Sequence, residues 1–334
     1  MHIDILASES LGVRGLCCLV RIGDRRIIID PGIALGYLRY RLLPHPFQVA
    51  VGAMIRKRII SALESATDII ITHFHGDHVP LVNANPYQLS MNSVAGRLNE
   101  PRLWAAGTAG LSESIQQRRE AIEDVVGVDL PATEGANDGP FRFSAAMPHG
   151  EHGNRLGTVM MTRIEGKETV FVHASDIQLL ERRPVQQILD WKPDVVLAGG
   201  PPLYLQQLSE QSRQNAWENA LHLAEGVPTL ILDHHLLRSR RGVRWLDRLN
   251  AKTRNRVICA ADFMGEPRRF LEAWRSTLYK EIARTDRLAR GLRPRKSRHG
   301  GVQAVARVGC VGRARGMSRI AASSRRLPEH ERNR

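Results

Sequence analysis

The stretch TDIIITHFHGDHVPL, residues 67–81, is where the chain declares its fold. Thr67–Thr72 is a short apolar run with the β-branched composition of a buried strand. It leads straight into His73, His75, Asp77 and His78, four metal-ligating residue types within six positions. Side chains at i and i+2 of an extended segment point to the same side, so His73 and His75 can grip one ion. Asp77 and His78 must then turn toward a second position. Gly76 is expected to supply the backbone freedom for that turn, and the residues beyond it to open a helix whose N-terminus favours anions. A single histidine beside an apolar run is ordinarily structural, but four ligand types in the order H-x-H-x-D-H read as a template for two metals.

Catalytic zinc keeps about three protein ligands and leaves a position for water, so further ligands are expected at other strand ends. His149 in MPHGEHGNRLG follows directly on a strand-like run and completes a His73–His75–His149 set, with His152 as its rival. Asp176 in FVHASDIQ can bridge two ions because a carboxylate has two oxygens. His234 in LILDHHLLR would join Asp77, His78 and Asp176 at the second ion, with His235 as the alternative. Asp30, at the end of RRIIID, is expected to brace the motif through hydrogen bonds rather than to ligate. His173 is given no role.

Working outward, HIDILA, GLCCLVRI and RRIIID read as strands, the last two joined by a turn at Gly23 and Asp24. The spacing of Val49, Met54, Ile55, Ile59 and Leu63 predicts a helix over 47–66. Residues 82–128 read as a mostly helical insertion or lid, with a helix that starts at Ser112 or Ser114 and stops at Gly127. Strands are expected at 141–147, 157–164 and 168–174. PDVVLAGG and VPTLILDHH then flank a helix over 206–225, in which Trp217, Leu221 and Ala224 read as core. Asp30, the 73–78 cluster, His149, Asp176 and His234/His235 all follow strand-like runs, and ligand sites gather where strand ends converge. Tyr204 in LAGGPPLYL, Arg238 after DHHLL and the SES at 8–10 lie where they would rim such a site. Packing, a salt bridge and a turn are the plainer readings of these three.

The chain of 334 residues, 43% of them hydrophobic, can fill the core of one large α/β domain or two ordinary ones. No stretch reaches the roughly 18 apolar residues of a membrane span, and the start lacks a basic leader, so the cytoplasm is the expected address. Cys17, Cys18, Cys259 and Cys310 contain no CxxC and are expected to be reduced and packed. The net charge of +14 is concentrated at the end: residues 281–334 carry 15 Lys/Arg against 4 Asp/Glu, leaving the other 280 at +3. This segment has no apolar period and reads as a basic, solvated tail. A small-molecule substrate is the main expectation; the near-neutral body gives little support for long nucleic acid, for which the tail is the feature that would serve as an arm.

The series Asp30, H-x-H-G-D-H, His149, Asp176 and His234 or His235 resembles the metallo-β-lactamase superfamily over about residues 1–280. LASESLGVRG, IDPGIALG, PHGEHGNRLG and DHHLLR are similar to a small branch of it, which often has bulky aromatics inside the motif where this chain has Phe74 and Gly76. The resemblance implies a four-layer αββα sandwich, in the α/β class, with a dinuclear site of zinc, or of manganese or iron. It implies a hydrolase in which a hydroxide held between two metals attacks a phosphodiester, thioester or lactone, with Asp77 accepting or orienting its proton. Two other classes compete. A di-iron redox enzyme would be expected to carry a flavin module and a carboxylate within the motif, neither of which is visible. A non-catalytic binding protein with a basic arm would be expected to have lost ligands. If the tail is only solvated, removing residues 291–334 leaves turnover of a small ester substrate unchanged; a large loss in that assay assigns the tail a role.

Overall fold

The computed structural model describes residues 1–108, 111–151, 153 and 156–291. The first sheet holds β1 (His2–Ile5), β2 (Cys18–Ile22), β3 (Arg25–Ile29), β4 (Asp68–Ile71) and β5 (Arg102–Ala105), in that spatial order. Strands β1 to β3 are antiparallel, β2 and β3 being joined by the expected turn at Gly23 and Asp24, and β3, β4 and β5 are parallel. Ile27–Ile29 and Ile69–Ile71 are all buried, which is why β3 and β4 read as unbroken apolar runs rather than alternating ones. The parallel β3–β4 connection needs a crossover, and α1 (Pro46–Leu63) makes it with Val51, Ile55, Ile59 and Leu63 turned inward.

Helix α2 (Glu113–Val126) ends at Gly127, whose φ of 76° is the left-handed cap that glycine adopts without penalty. The second sheet draws on β6 (Asn137–Asp138) and β7 (Phe141–Phe143), while β8 (Met147–Pro148) and β9 (Thr158–Val159) form a separate ribbon. It continues with β10 (Thr162–Glu165), β11 (Val170–His173), β12 (Val195–Ala198), β13 (Thr229–Leu232) and β14 (Arg256–Ile258), in the order β14–β13–β12–β11–β10–β7–β6. Its helices are α3 (Arg182–Asp190), α4 (Glu210–Gly226), α5 (His234–Leu237), α6 (Arg240–Asn250), α7 (Ala260–Phe263) and α8 (Arg275–Gly291). Two sheets with helices outside them make the four-layer αββα sandwich, in one compact unit spanning Met1–Leu288. Among the described residues no helix is long and apolar enough to cross a membrane.

Several expectations change. Residues 82–128 are not a helical insertion throughout: Arg102–Ala105 is a strand of the first sheet, paired in register with β4, and its alternation is too short to stand out in sequence. The strand expected over 141–147 stops at Phe143, and the one over 157–164 is split between the ribbon and the sheet. The segment 281–334 is not tail from its start, because α8 runs to Gly291; residues 292–334 lie outside the described residues, as do His152 and Cys310. Cys17, Cys18 and Cys259 are buried free thiols.

The segment before α8 is tied down by Glu272, which is fully buried. It accepts from Arg14 Nε at 2.8 Å and Nη2 at 2.6 Å. Burial opposes its ionisation, but Arg14 outweighs this and holds the carboxyl at about 2. A carboxyl lowered from about 4.3 in the unfolded chain contributes stability that is complete above that value and fades as pH falls toward 2. The difference in unfolding free energy between wild type and Glu272→Gln should therefore shrink between pH 5 and pH 2, measured by urea denaturation. A pH-independent difference refutes the assignment.

Candidate metal centre

Every residue of the centre stands just past a strand. Asp30 follows β3, His73–His78 follow β4, His149 follows β8, Asp176 lies three residues past β11, and His234 and His235 lie just past β13. The motif leaves β4 without a helix: residues 76–78 form a turn, contrary to expectation. Gly76 does not use the left-handed region either. What it provides is room, since a Cβ there would stand 2.9 Å from Leu81 Cδ1. Closer still, a Cβ on Gly32 would fall 2.2 Å from the carbonyl carbon of His78, so this glycine lets the Asp30 loop pack on the motif.

Asp30 organises the first layer of support. Buried and held at a φ of 49°, it accepts from Thr72 N at 2.8 Å, Thr72 Oγ1 at 2.7 Å, His78 Nδ1 at 2.9 Å and Ser175 Oγ at 3.2 Å. Burial acts against its charge, but the His78 hydrogen bond and charge prevail and keep the carboxyl below the usual range. The bonds also set tautomers. A carboxylate only accepts, so His78 donates from Nδ1; burial opposes its charge, but Asp176 and Asp30 on its two sides outweigh this and raise the imidazole well above its usual range. Thr72 spends its one hydroxyl proton on Asp30, so His73 donates from Nδ1 to Thr72 Oγ1 at 3.0 Å and its Nε2 is bare. That Nε2 is buried and has no hydrogen-bond partner. Thr72 and Ser175, whose hydroxyls are 2.6 Å apart, tie the two sheets together at this point. Neither was singled out from sequence, because hydroxyl residues next to ligands carry no distinctive spacing.

Asp176 lies at the middle, buried, with its two oxygens turned to different sides. Oδ2 is 3.4 Å from His73 Nε2, 3.2 Å from His149 Nε2 and 3.0 Å from His235 Nε2. Oδ1 is 3.2 Å from His78 Nε2 and 3.6 Å from His234 Nε2. His234 Nε2 is in turn 3.4 Å from His78 Nε2 and 3.3 Å from Asp77 Oδ2. Burial raises the Asp176 carboxyl, yet His78, then His235 and His234, hold it well below the usual range. His75, half-buried, packs edge-on to His73 with centroids 4.6 Å apart and shares a potential ligand set with His73, His149 and Asp176. All the residues expected as ligands thus come together. His152, the rival of His149, lies outside the described residues.

Arg238 approaches from the far side. Its Nη2 is 2.6 Å from His234 Nε2 and 3.2 Å from Asp77 Oδ2, and its Nη1 donates to Tyr204 Oη at 3.3 Å. Tyr204 Oη also lies 3.3 Å from His235 Nδ1. The buried Glu9 stands 3.8 Å from Arg238 Nε. Burial and Arg238 together bring His234 down to about 4. His173, buried, is spent on the Leu16 carbonyl at 2.9 Å and takes no part.

The metallo-β-lactamase superfamily model matches residues 12–166, a span that holds Asp30, the 73–78 motif and His149 but stops short of Asp176 and His234. Over 282 residues the chain is 49% identical to a UPF0282 protein of Methanosarcina mazei, covering 84% of this chain and 93% of that one. The chain belongs to the UPF0282 family, within the metallo-β-lactamase superfamily. A UPF0282 protein of Thermococcus gammatolerans is 33% identical over 290 residues, covering 84% of this chain and 95% of its own. Among solved structures, the metallo-β-lactamase fold protein YhfI of Bacillus subtilis aligns with a TM-score of 0.44 at 13% identity, over 77% of this chain and 95% of that one. In this UPF0282 chain, Asp30→Asn removes acceptor capacity toward Thr72 and His78 without changing shape. It should weaken zinc affinity by about 10–100-fold in a chelator-competition titration while the protein stays folded; unchanged affinity would refute the bracing role.

Proposed function

We propose that this UPF0282 protein is a metal-dependent hydrolase of ester-type bonds, a phosphodiester, thioester or lactone, working at Asp176 and the histidines around it. The spacing of the donor atoms carries the reading. Atoms bound at about 2.0–2.1 Å to a tetrahedral ion stand about 3.3–3.4 Å from one another. His73 Nε2 and His149 Nε2 stand 3.4 and 3.2 Å from Asp176 Oδ2, while His78 Nε2 and His234 Nε2 stand 3.2 and 3.6 Å from Oδ1 and 3.4 Å from each other, with Asp77 Oδ2 3.3 Å from His234 Nε2. His73 Nε2 is buried and has no hydrogen-bond partner, which is unfavourable unless a cation or proton lies beside it. The residues therefore fit divalent ions, one held by His73, His75, His149 and Asp176 and a second by Asp77, His78, His234 and Asp176. Imidazole and carboxylate suit zinc, and also accept manganese or iron.

When bound, such ions supply Lewis acidity toward the substrate oxygen and lower the pKa of water at the site. The chain's own residues do the rest. Asp77, the partly exposed carboxylate of the set, stands at the mouth to orient a water or take its proton. His235, fixed between Asp176 and Tyr204, holds the carboxylate in place. Arg238 keeps a permanent positive charge beside Asp77, where an anionic group of a substrate would meet it.

The two positions are unequal. Gly15 N donates to His234 Nδ1 at 3.0 Å and Arg238 Nη2 stands 2.6 Å from Nε2, so donors face both ring nitrogens. An ion at Nε2 must take the place of the Arg238 guanidinium or stand beside its charge, so the His234 position binds more weakly. Equilibrium dialysis with zinc should show two unequal equivalents in the wild type and a tighter second one in Arg238→Met. His75→Ala and Asp77→Ala should each lose bound metal and at least about a hundredfold in turnover of generic phosphodiester, thioester or lactone substrates, as should treatment with a chelator. Full turnover without metal would remove the hydrolase reading.

A further inference from the structure

Away from the metal centre, α4 and α6 enclose a cavity of about 650 Å³. Arg213 of α4 and Arg241, Arg244 and Arg248 of α6 line it, beside Trp217 and Trp245. On α6 the arginines recur at intervals of three and four residues, so they share one face. They follow one another by about 4.5 and 6 Å along the axis at about 1.5 Å per residue. The positive charge is not neutralised locally. Asp247, the acidic residue of α6, is engaged by Arg268 at 3.1 Å, and no ion pair holds Arg241, Arg244 or Arg248 among the described residues. Glu210 alone adds a negative charge to the lining.

Arg213 is the most constrained of the four. Its Nη2 donates to the Leu205 carbonyl at 2.8 Å, while its Nη1 is buried with no partner. Burial, and after it the like charge of Arg241, act against the guanidinium, a repulsion that an anion placed between them would relieve. The aromatic rings are held rather than loose. Trp217 and Trp245 meet edge to face with centroids 5.2 Å apart, and Arg248 lies over the Trp217 ring at 4.6 Å.

The number and alignment of these groups select the ligand. Three of the four guanidinium groups stand in line along α6, an arrangement that spreads over more length than one phosphate spans. A repeating chain of phosphates uses them all. Arginines tracking a backbone beside indole rings combine the two elements that hold unpaired nucleotides, charge for the phosphates and an aromatic platform for the bases. We propose that the α4–α6 cavity is a binding site for single-stranded nucleic acid, with Arg241, Arg244 and Arg248 on successive phosphates, Arg213 closing on them from α4 and the tryptophan pair against the bases. The site uses none of the metal-centre residues. It does adjoin that centre along the chain: Leu203, in its lining, precedes Tyr204, and α6 begins two residues after Arg238.

The test is fluorescence anisotropy of a 5′-labelled oligouridylate of twelve nucleotides with the full chain, treated with chelator so that binding is read apart from any metal chemistry. Each arginine–phosphate contact on a single strand contributes about 0.7 to the slope of log affinity against log salt. Replacing Arg241, Arg244 and Arg248 together with glutamine should lower that slope by about 2 and weaken binding on the order of tenfold or more at 0.1 M salt. These exposed substitutions leave the fold intact, checked by an unchanged melting temperature. Equal slope and affinity in the triple variant would place binding in the basic segment beyond residue 291 and overturn the proposal, as would no binding by the wild type. Inorganic polyphosphate binding as tightly as the oligonucleotide would overturn the assignment to nucleic acid.

Discussion

A single carboxylate, desolvated and surrounded by imidazoles, is the constraint around which this protein is organised. Asp176 has five histidine nitrogens within 3.6 Å, divided between its two oxygens. Removing that many polar atoms from water is unfavourable unless each finds a partner or a cation. The arrangement gathers side chains that could hold a metal ion, and the neighbouring elements keep the nitrogens aimed at Asp176.

That aiming is done one step back from the ligands. Asp30 and Thr72 together accept the Nδ1 protons of His78 and His73, and Ser175 extends the same network to the second sheet. The parallel pair β3–β4 leaves Asp30 and Thr72 side by side just past its end, and the dense isoleucine core beneath them leaves little room for either to move. Stability and ligand orientation are thus the same set of contacts seen from two sides.

Positive charge is distributed with similar economy. Arg238 turns inward, confined by Asp77, Tyr204 and Glu9. Arg241, Arg244 and Arg248 follow it on α6 but turn outward into the cavity shared with α4. Trp217, read from its helical spacing as core, does pack against the core but is only partly buried, so one side of it also lines that wall. Helical periodicity identifies a face; it does not say whether a neighbour covers it.

The order of chemistry along the chain was legible without coordinates. The apolar strand running into H-x-H-x-D-H, the strand-end positions of Asp30, His149 and Asp176, and the double histidine all announce themselves locally, because a strand that ends in ligand-type residues is a pattern of composition and period. Tertiary structure decided what depends on distance between segments far apart in sequence. It recruited Thr72 and Ser175, brought Gly15 to His234 and Arg238 to Asp77, made Arg102–Ala105 a strand through its pairing with β4, and showed that Gly76 provides space rather than an unusual torsion. A hydrogen bond's partner is set by packing, and no spacing rule along one chain encodes which element will arrive on the other side.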